Sequence, residues 1–292
     1  MGRRGWLLVG IVGLLATNLA GCTSNTPYDI AVFGDVPYST AAAAKYDTMI
    51  AAINAGTTSF AVHVGDIGHG SSTCTTATVD TETARFDTFS RALVYTPGDN
   101  EWTDCGTSRL TQLAYLRSKV FRGTGTQSRG QAPLTLESQA AAGYPENARW
   151  RKGPITFATL HLVGSNDDYA DRTEFDPRRA ATITWLHDTF TAARANGDKG
   201  VVLLAQTDPT FAAPTAAYQS MYDAVKAEAL AYTGQILYVN GDGHVFHDDH
   251  PLAGATNLHR IEVEGDTLVS YVKVHIDPAA TEIFTITGPT RF

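Results

Sequence analysis

The sequence predicts an α/β fold, and three observations support that prediction. Short apolar runs typical of buried strands alternate along the chain with longer stretches of helical periodicity. Each apolar run ends in glycine or polar residues, as strands that lead into loops do. The composition is that of a globular protein, with 43% hydrophobic and 18% charged residues in a chain of 292.

Six of the apolar runs are predicted to be strands. They are short and rich in Val, Ile, Leu and Phe, and turn-forming residues follow each of them. The runs begin at Asp29, Thr58, Arg91, Pro154, Lys199 and Gln235.

Five stretches between these strands are predicted to be helices. Leu110, Leu113 and Leu116 recur near helical spacing in the third stretch. Asp176 and Pro177 predict the start of the fourth, with the aspartate as N-cap and the proline at the first helical position. The five stretches cover residues 39–56, 78–93, 108–121, 176–197 and 214–234.

Two regions depart from this alternation. Residues 257–276 and 281–288 alternate apolar and polar side chains, and the turn "EGD" lies inside the first of them. This pattern predicts an antiparallel hairpin followed by another strand. Residues 123–143 are rich in Gly, Ser, Ala and Gln and are expected to lack regular structure, as a lid over a site or as an insertion.

The first residues have the pattern of an export signal. Arg3 and Arg4 precede an apolar run shorter than the roughly 20 residues of a membrane-spanning helix, so residues 1–21 are expected to be a signal peptide. The ending "LAGC" resembles the lipobox of bacterial lipoproteins. That resemblance implies lipid attachment at Cys22, a tether through residue 28 and a place in the bacterial cell envelope, on a membrane. A plain signal peptide with an incidental cysteine is the alternative.

Charge and cysteine content limit the partners and the compartment. The net charge is −8, and removing residues 1–21, which hold two arginines and no acid, leaves −10. An acidic chain argues against nucleic acid as a partner. Once Cys22 is lipidated, Cys74 and Cys105 remain as an even pair in an oxidising compartment, and we expect a disulfide between them.

Polar residues gather at the carboxyl ends of the predicted strands, the edge where open α/β sheets bind ligands. Several converging carboxylates would repel one another, and a divalent cation is their natural neutraliser. The residues are Asp35, Asp66, Asp99, Asn100, Gln206, Asp208, Asp242 and His244.

The order of these residues resembles the motifs of the calcineurin-like metallophosphoesterase family. The matching stretches are "GDVPY", "HVGDIGHG", "TPGDNEW", "LLAQTDP" and "GDGH", and the resemblance spans roughly residues 30–251. It implies a sandwich of two mixed β-sheets flanked by helices (α/β/β/α), formed as a single domain over residues 29–292. It also implies a two-metal site that hydrolyses small phosphate mono- or diesters.

The resemblance implies two divalent ions in a divergent site. The family has histidines at the positions of Pro37, Gln206 and Asp242, so oxygen donors dominate in this chain. Such donors favour Mg²⁺, Mn²⁺ or Ca²⁺ over Zn²⁺ or iron. The implied ligands are Asp35, Asp66 and His244 for one ion, and Asp66, Asp99, Gln206 and Asp242 for the other.

The third motif, "TPGDNEW", allows two alignments to the family. Without a gap, Asp99 takes the ligand position, Asn100 that of the acid-base histidine and Glu101 that of the following carboxylate. Shifted by one, Asn100 is the ligand and Glu101 replaces the histidine.

His69 lies three residues after Asp66, where the purple acid phosphatase branch has an iron-ligand tyrosine, so it would bind metal, donate to phosphate or serve only as a loop residue. Asn100, Glu101 and His69 are the predicted catalytic residues. Asn100 cannot transfer a proton, so either Glu101, His69 or His247 would supply it, or leaving groups that need none, such as acidic phosphates or aryl alcohols, would be the best substrates.

The loss of family histidines also supports an alternative function, a non-catalytic surface binding lipoprotein on a degenerate phosphoesterase scaffold.

Among the other polar residues, His161 is expected to be a hydrogen-bonded core histidine. Residues 166–168 are expected to form a solvated loop, and His247 and His250 to lie at the surface. The oligomeric state is not predicted.

Overall fold

The computed structural model describes residues 25–70 and 74–292, which form two β-sheets. In the first sheet three parallel strands are extended by two antiparallel ones, in the order β12-β11-β1-β2-β3. These strands are β1 (Tyr28–Phe33), β2 (Phe60–His63), β3 (Ala92–Tyr95), β11 (Ser270–Ile276) and β12 (Phe284–Arg291).

The second sheet has the order β4-β5-β6-β7-β8-β10-β9. Its four central strands, β6, β7, β8 and β10, are parallel, and the strands at both edges are antiparallel. The bounds are β4 (Glu137–Gln139), β5 (Tyr144–Lys152), β6 (Ile155–Thr159), β7 (Gly200–Leu204), β8 (Gln235–Asn240), β9 (His247–Asp249) and β10 (Leu258–Glu262).

Three apolar cores join these sheets to each other and to the helices. Between the sheets, side chains such as Val32 and Val62 pack in one cluster with Leu204 and Val239. The outer face of the first sheet is covered by α1 (Thr40–Ala55), α2 (Thr76–Phe86) and α3 (Arg109–Lys119), and that of the second by α4 (Arg172–Asn196) and α5 (Gln219–Ala231). The predicted sandwich of two mixed sheets flanked by helices is confirmed.

The segment 123–143 was expected to lack regular structure, and that prediction is wrong in part. It contains β4 and a 3-10 helix at Ala140–Ala142, and it is followed by β5, which the sequence did not predict. Leu93 and Arg129 also exchange backbone hydrogen bonds of 2.8 and 2.9 Å. Strand β4 lacks an apolar signature because it is a short, partly exposed edge strand with polar side chains. Strand β5 is mostly buried, but polar residues such as Glu146 and Asn147 stand among its buried positions and hide the strand pattern.

The predicted hairpin within residues 257–276 is also wrong. Strand β10 pairs in parallel with β8 of the second sheet, whereas β11 pairs with β1 and β12 of the first. The turn "EGD" therefore carries the chain from one sheet to the other, and Asp266 N donates to Asp35 O at 2.8 Å on the way. Alternation identifies a strand but leaves its partner open.

Helix α4 begins at Arg172, earlier than the start predicted at Asp176 and Pro177. Asp171 is the N-cap, and its side chain accepts a hydrogen bond from Thr173 N at 3.1 Å. Pro177 lies inside the helix, where its missing N–H leaves a single carbonyl of the first turn without its helical partner.

The predicted signal peptide and the lipid-attachment residue Cys22 lie outside the described residues. Within the described part of the chain, none of the helices is both long enough and apolar enough to cross a membrane.

Candidate metal centre

One cleft at the carboxyl ends of the parallel strands gathers most of the predicted site residues. The ends of β1, β2 and β3 in one sheet meet the ends of β7 and β8 in the other at this edge. The cleft has a volume of about 310 Å³ and is lined by Tyr38, Asp66, His69, Gly70, Asp99, Asn100, Asp104, Asp242, His244 and Asp266.

Asp35, Asp66 and His244 form a compact set of potential metal ligands. One ligand atom from each residue lies within 4.8 Å of the other two. The carboxylates of Asp35 and Asp66 are buried, while the His244 ring is 33% exposed and its Nε2 lies 3.4 Å from Asp35 Oδ1. Two buried carboxylates and a half-buried imidazole open to the cleft are a donor set that suits a divalent cation.

Backbone geometry aims these side chains into the cleft. Asp35, Asp66 and His244 have φ values of 54°, 60° and 59°, the left-handed region, which Asp and His visit more readily than most residues. Gly98 and Gly241 make room for the carboxylates, because a Cβ there would lie 1.9 Å from Asp66 Oδ1 and 2.0 Å from Asp35 Oδ2 respectively. In the Gly-Asp pairs of the sequence, the aspartates Asp35 and Asp66 thus have a strained backbone, and the glycines of two later pairs, Gly98 and Gly241, let a neighbouring loop approach their carboxylates.

The buried carboxyl groups of Asp35 and Asp66 have raised pKa values, which a bound cation would lower. Burial raises the pKa of Asp35 to about 6, a shift that the hydrogen bond and charge of His244 reduce and the charge of Asp242 increases. Burial also raises the pKa of Asp66 well above its usual range, with further contributions from Glu101, Asp99 and Asp35. Both carboxylates are therefore costly to ionise together, and a divalent ion held between them would remove that cost.

We expect the metal-free protein to lose stability as the pH rises. The folded state holds the Asp35 proton up to a pKa of about 6, against 3.8 for the free side chain. The stabilisation that comes from this proton is therefore complete below pH 4 and is lost as the pH rises through 6. For Asp35 the loss is roughly 3 kcal/mol, and Asp66 extends it to higher pH. Melting curves in chelator at pH 4 to 8 measure this slope, and Asp35→Asn should flatten it. A wild-type slope unchanged by the substitution would contradict the assignment.

Tyr38 is a fourth residue in contact with Asp35, Asp66 and His244, and the sequence did not identify it as a site residue. Its hydroxyl donates to Asp66 Oδ2 at 2.7 Å, and it lies 3.3 Å from His244 Nε2 and 3.5 Å from Asp35 Oδ1. The signal available was an aromatic residue directly after Pro37 in a strand-end loop. The phenol thus orients Asp66 and adds an oxygen at the centre of the ligand set.

The predicted catalytic residues lie at different depths. Asn100 faces the triad, and its Nδ2 donates to Asp66 Oδ2 at 2.9 Å and to Tyr38 Oη at 3.0 Å. Glu101 is buried behind Asp66, where it accepts a hydrogen bond from the Tyr95 hydroxyl at 2.6 Å. His69 lines the cleft with its ring 5.6 Å from that of Tyr38.

The other half of the cleft is organised by Gln206, which is fully buried. Its Nε2 donates to Asp99 Oδ1 at 3.0 Å and to Asp242 Oδ1 at 2.9 Å, and its Oε1 accepts from Gly164 N at 2.5 Å. Asp99 and Asp242 are thereby joined through one side-chain amide.

Comparison with solved structures bears on the fold. Neither a protein-family model nor a curated protein matches the sequence. The crystal structure of a dimetal phosphatase from Danio rerio superposes with a TM-score of 0.56 over 85% of this chain and 92% of that chain, at 11% identity. The chain has a metallophosphoesterase-like fold. A structure of Vps29 from Entamoeba histolytica covers 90% of this chain and 99% of that one at 10% identity, but its TM-score of 0.34 is too low to indicate a shared fold.

Behind the cleft of this metallophosphoesterase-like fold lies a buried polar layer. His161 is a core histidine as predicted, with its Nδ1 2.7 Å from Glu146 Oε1. The prediction of a solvated loop at 166–168 is wrong for Asp167, which is fully buried. Its carboxylate pairs with Arg178 at 2.9 Å and with Arg179, two residues that α4 brings beneath the loop. His247 and His250 lie outside the residues that line the cleft.

The predicted disulfide between Cys74 and Cys105 is present and closes a sequence separation of 31 residues. It ties the segment after His69 to the loop after Asn100, so both walls of the cleft share one covalent link. The Gln112 side chain also donates to Cys74 O at 3.0 Å.

Removing this disulfide by the double change Cys74→Ser and Cys105→Ser is expected to lower the free energy of unfolding by about 3–4 kcal/mol, because the unfolded chain regains the entropy of an open loop. Urea unfolding measures the loss. Reductant should destabilise the wild type by a similar amount and leave the double variant unchanged. A loss below about 1 kcal/mol would contradict a structural role for the link.

Proposed function

We propose that the protein is a metal-dependent hydrolase of phosphate esters. The observation that carries the proposal is the set Asp35, Asp66 and His244, whose ligand atoms lie within 4.8 Å of one another at the ligand-binding edge of a metallophosphoesterase-like fold. Perturbed carboxyl pKa values in the same cleft add support, since such groups cluster at functional sites.

A divalent ion bound by this set would supply Lewis acidity toward phosphoryl oxygens and would lower the pKa of water. Asp35 and Asp66 provide the anionic donors and His244 a neutral nitrogen. Tyr38 and Asn100 hold Asp66 in place by hydrogen bonds of 2.7 and 2.9 Å to Oδ2. The predominance of oxygen donors favours Mg²⁺, Mn²⁺ or Ca²⁺.

The charge of the cleft supports substrates with little negative charge of their own. Asp104 and Asp266 line it together with the site carboxylates, and its described lining includes neither lysine nor arginine. A phosphodiester carries one negative charge where a monoester carries about two, so it meets less repulsion. Because Asn100 cannot donate a proton to the leaving group, diesters of acidic alcohols such as phenols are the preferred class.

The place of action that we propose is the outside of a bacterial membrane, with the lipid on Cys22 as anchor. The "LAGC" ending and the disulfide support this location. Cell fractionation tests it, since the Cys22→Ser variant should move from the membrane to the soluble fraction. Equal membrane retention of both forms would contradict it.

The competing function is a surface protein that binds an ion or ligand without turnover. The observation that favours it is the absence of family histidines at Pro37, Gln206 and Asp242, which removes nitrogen ligands that the resemblance would require. Tight binding without turnover in the assay below would support this alternative.

The test measures hydrolysis of aryl phosphate mono- and diesters by purified protein with Mg²⁺, Mn²⁺, Ca²⁺ or Zn²⁺. We expect turnover that requires the ion, is faster on diesters and falls by roughly 10²–10³-fold in His244→Ala. His250→Ala is the matched control, because His250 is exposed and lies outside the cleft. Absence of turnover with every ion, or equal activity of both variants, would overturn the proposal.

A further inference from the structure

The position that a second ion would need lies between the carboxylates of Asp99 and Asp242. Each of their four oxygens already accepts a hydrogen bond from a neutral side chain. Gln206 Nε2 donates to both Oδ1 atoms, at 3.0 and 2.9 Å. The Ser165 hydroxyl donates to Asp99 Oδ2 at 2.6 Å, and the Thr207 hydroxyl to Asp242 Oδ2 at 2.9 Å.

The orientation of the Gln206 amide is fixed by its surroundings. Oε1 accepts from the backbone N–H of Gly164 at 2.5 Å, while Nε2 faces two carboxylates. The reversed amide would set N–H against N–H on one side and oxygen against two carboxylates on the other, so every contact would be repulsive. The amide nitrogen, and not its oxygen, therefore points at the acidic pair.

This arrangement does not fit a second cation. An amide nitrogen has no lone pair available for a metal, and its two hydrogens carry the partial positive charge that an ion would otherwise bring. Turning the oxygen toward an ion would leave the N–H of Gly164 without its acceptor in a buried position, at a cost of about 1–3 kcal/mol. Gln206 is fully buried, so water cannot easily replace that bond.

We propose that the centre holds a single divalent ion, at Asp35, Asp66 and His244, and that the Gln206 amide takes the place of the second ion by cross-linking Asp99 and Asp242. The inference rests on the proposed function for the identity of the first ion site. It differs from the two ions that the family resemblance implied. Gln206 is thus a positioning residue that holds two acidic loops together by hydrogen bonds.

The test counts ions per chain by titrating purified protein with Mn²⁺, using calorimetry and the electron paramagnetic resonance spectrum. Wild type should bind one equivalent with an uncoupled six-line signal. Gln206→His, which offers a nitrogen ligand at the same point, should gain a second equivalent. Gln219→His is the matched control because Gln219 is exposed on α5, and it should stay at one.

A near-isosteric variant guards against misfolding of Gln206→His. Asp99→Asn should keep one equivalent, with weaker Mn²⁺ affinity because a carboxylate whose charge acts on Asp66 is lost, whereas loss of the equivalent would overturn the inference. Two equivalents and a spin-coupled signal in the wild type would also overturn it. Failure of the proposed function is distinguishable, because one bound ion without turnover contradicts hydrolysis and supports the single-ion centre. No bound ion contradicts both.

Discussion

Replacing Asp66 with asparagine is expected to remove the bound ion and to lower turnover by roughly 10³-fold or more, the rate equivalent of the several kcal/mol that a metal supplies. Asp66 is the carboxylate on which the site converges. It accepts hydrogen bonds from Tyr38 at 2.7 Å and from Asn100 N and Nδ2 at 3.2 and 2.9 Å. An amide at position 66 keeps the shape of the side chain but loses the charge that binds the cation.

The same substitution should not destabilise the metal-free protein at high pH. Burial and the neighbouring carboxylates raise the pKa of Asp66 well above its usual range, so its ionisation opposes folding as the pH rises. Asparagine removes that titration at the cost of an imperfect hydrogen bond to Asn100. Melting in chelator should show Asp66→Asn at least as stable as wild type at pH 8, while Mn²⁺ stabilises only the wild type.

A matched control separates this effect from a general loss of acidic charge. Asp188 is exposed on α4, so Asp188→Asn should leave ion binding and turnover at wild-type values. Retention of ion and activity by Asp66→Asn would contradict the assignment of Asp66 as a ligand. Loss of activity through unfolding in chelator at pH 8 would assign it a structural role instead.

The parallel strands and the ligand edge could be predicted from the sequence because their signals are local. An apolar run followed by Gly-Asp identifies both a buried strand and the loop after it, as at Asp35 and Asp66. Partners at the sheet edges depend on distant residues. Strand β4 has few apolar side chains, and β10 joins a different sheet from β11 although only a short turn separates them.

Side-chain roles were less predictable than positions. The side-chain amide of Gln206 has both an oxygen and a nitrogen, and the sequence does not tell which of them faces Asp99. In the folded chain the hydrogen bond from Gly164 N to the Gln206 oxygen fixes the nitrogen on the Asp99 side. Burial of Asp167 depends on two arginines of α4, whose distance from the loop no local pattern reveals. Tyr38 contributes through its hydroxyl at the centre of three ligands, a convergence that exists only in the folded chain.

Replacing Asp167 with asparagine is expected to lower the free energy of unfolding by about 3–5 kcal/mol, because it takes from the nearly buried Arg179 the carboxylate with which it pairs and leaves Arg178 with Glu174 alone. Asp167 and Arg178 are both fully buried, and Arg179 is nearly so. The Asp167 carboxylate pairs with both arginines and also accepts from Val163 N at 3.1 Å. Asparagine tolerates the left-handed φ of 55° at this position, so backbone strain does not contribute.

An exposed pair on the same helix provides the contrast. Arg172 and Asp176 are each about half exposed, so Asp176→Asn should cost no more than about 1 kcal/mol. Urea unfolding of both variants measures the difference, and equal losses would contradict the buried-charge argument. Asp167 also holds the loop from which Gly164 N contacts Gln206 and the Ser165 hydroxyl contacts Asp99. Asp167→Asn should therefore loosen the Asp99 side of the cleft before the chain unfolds, whereas Asp176→Asn should leave it unchanged.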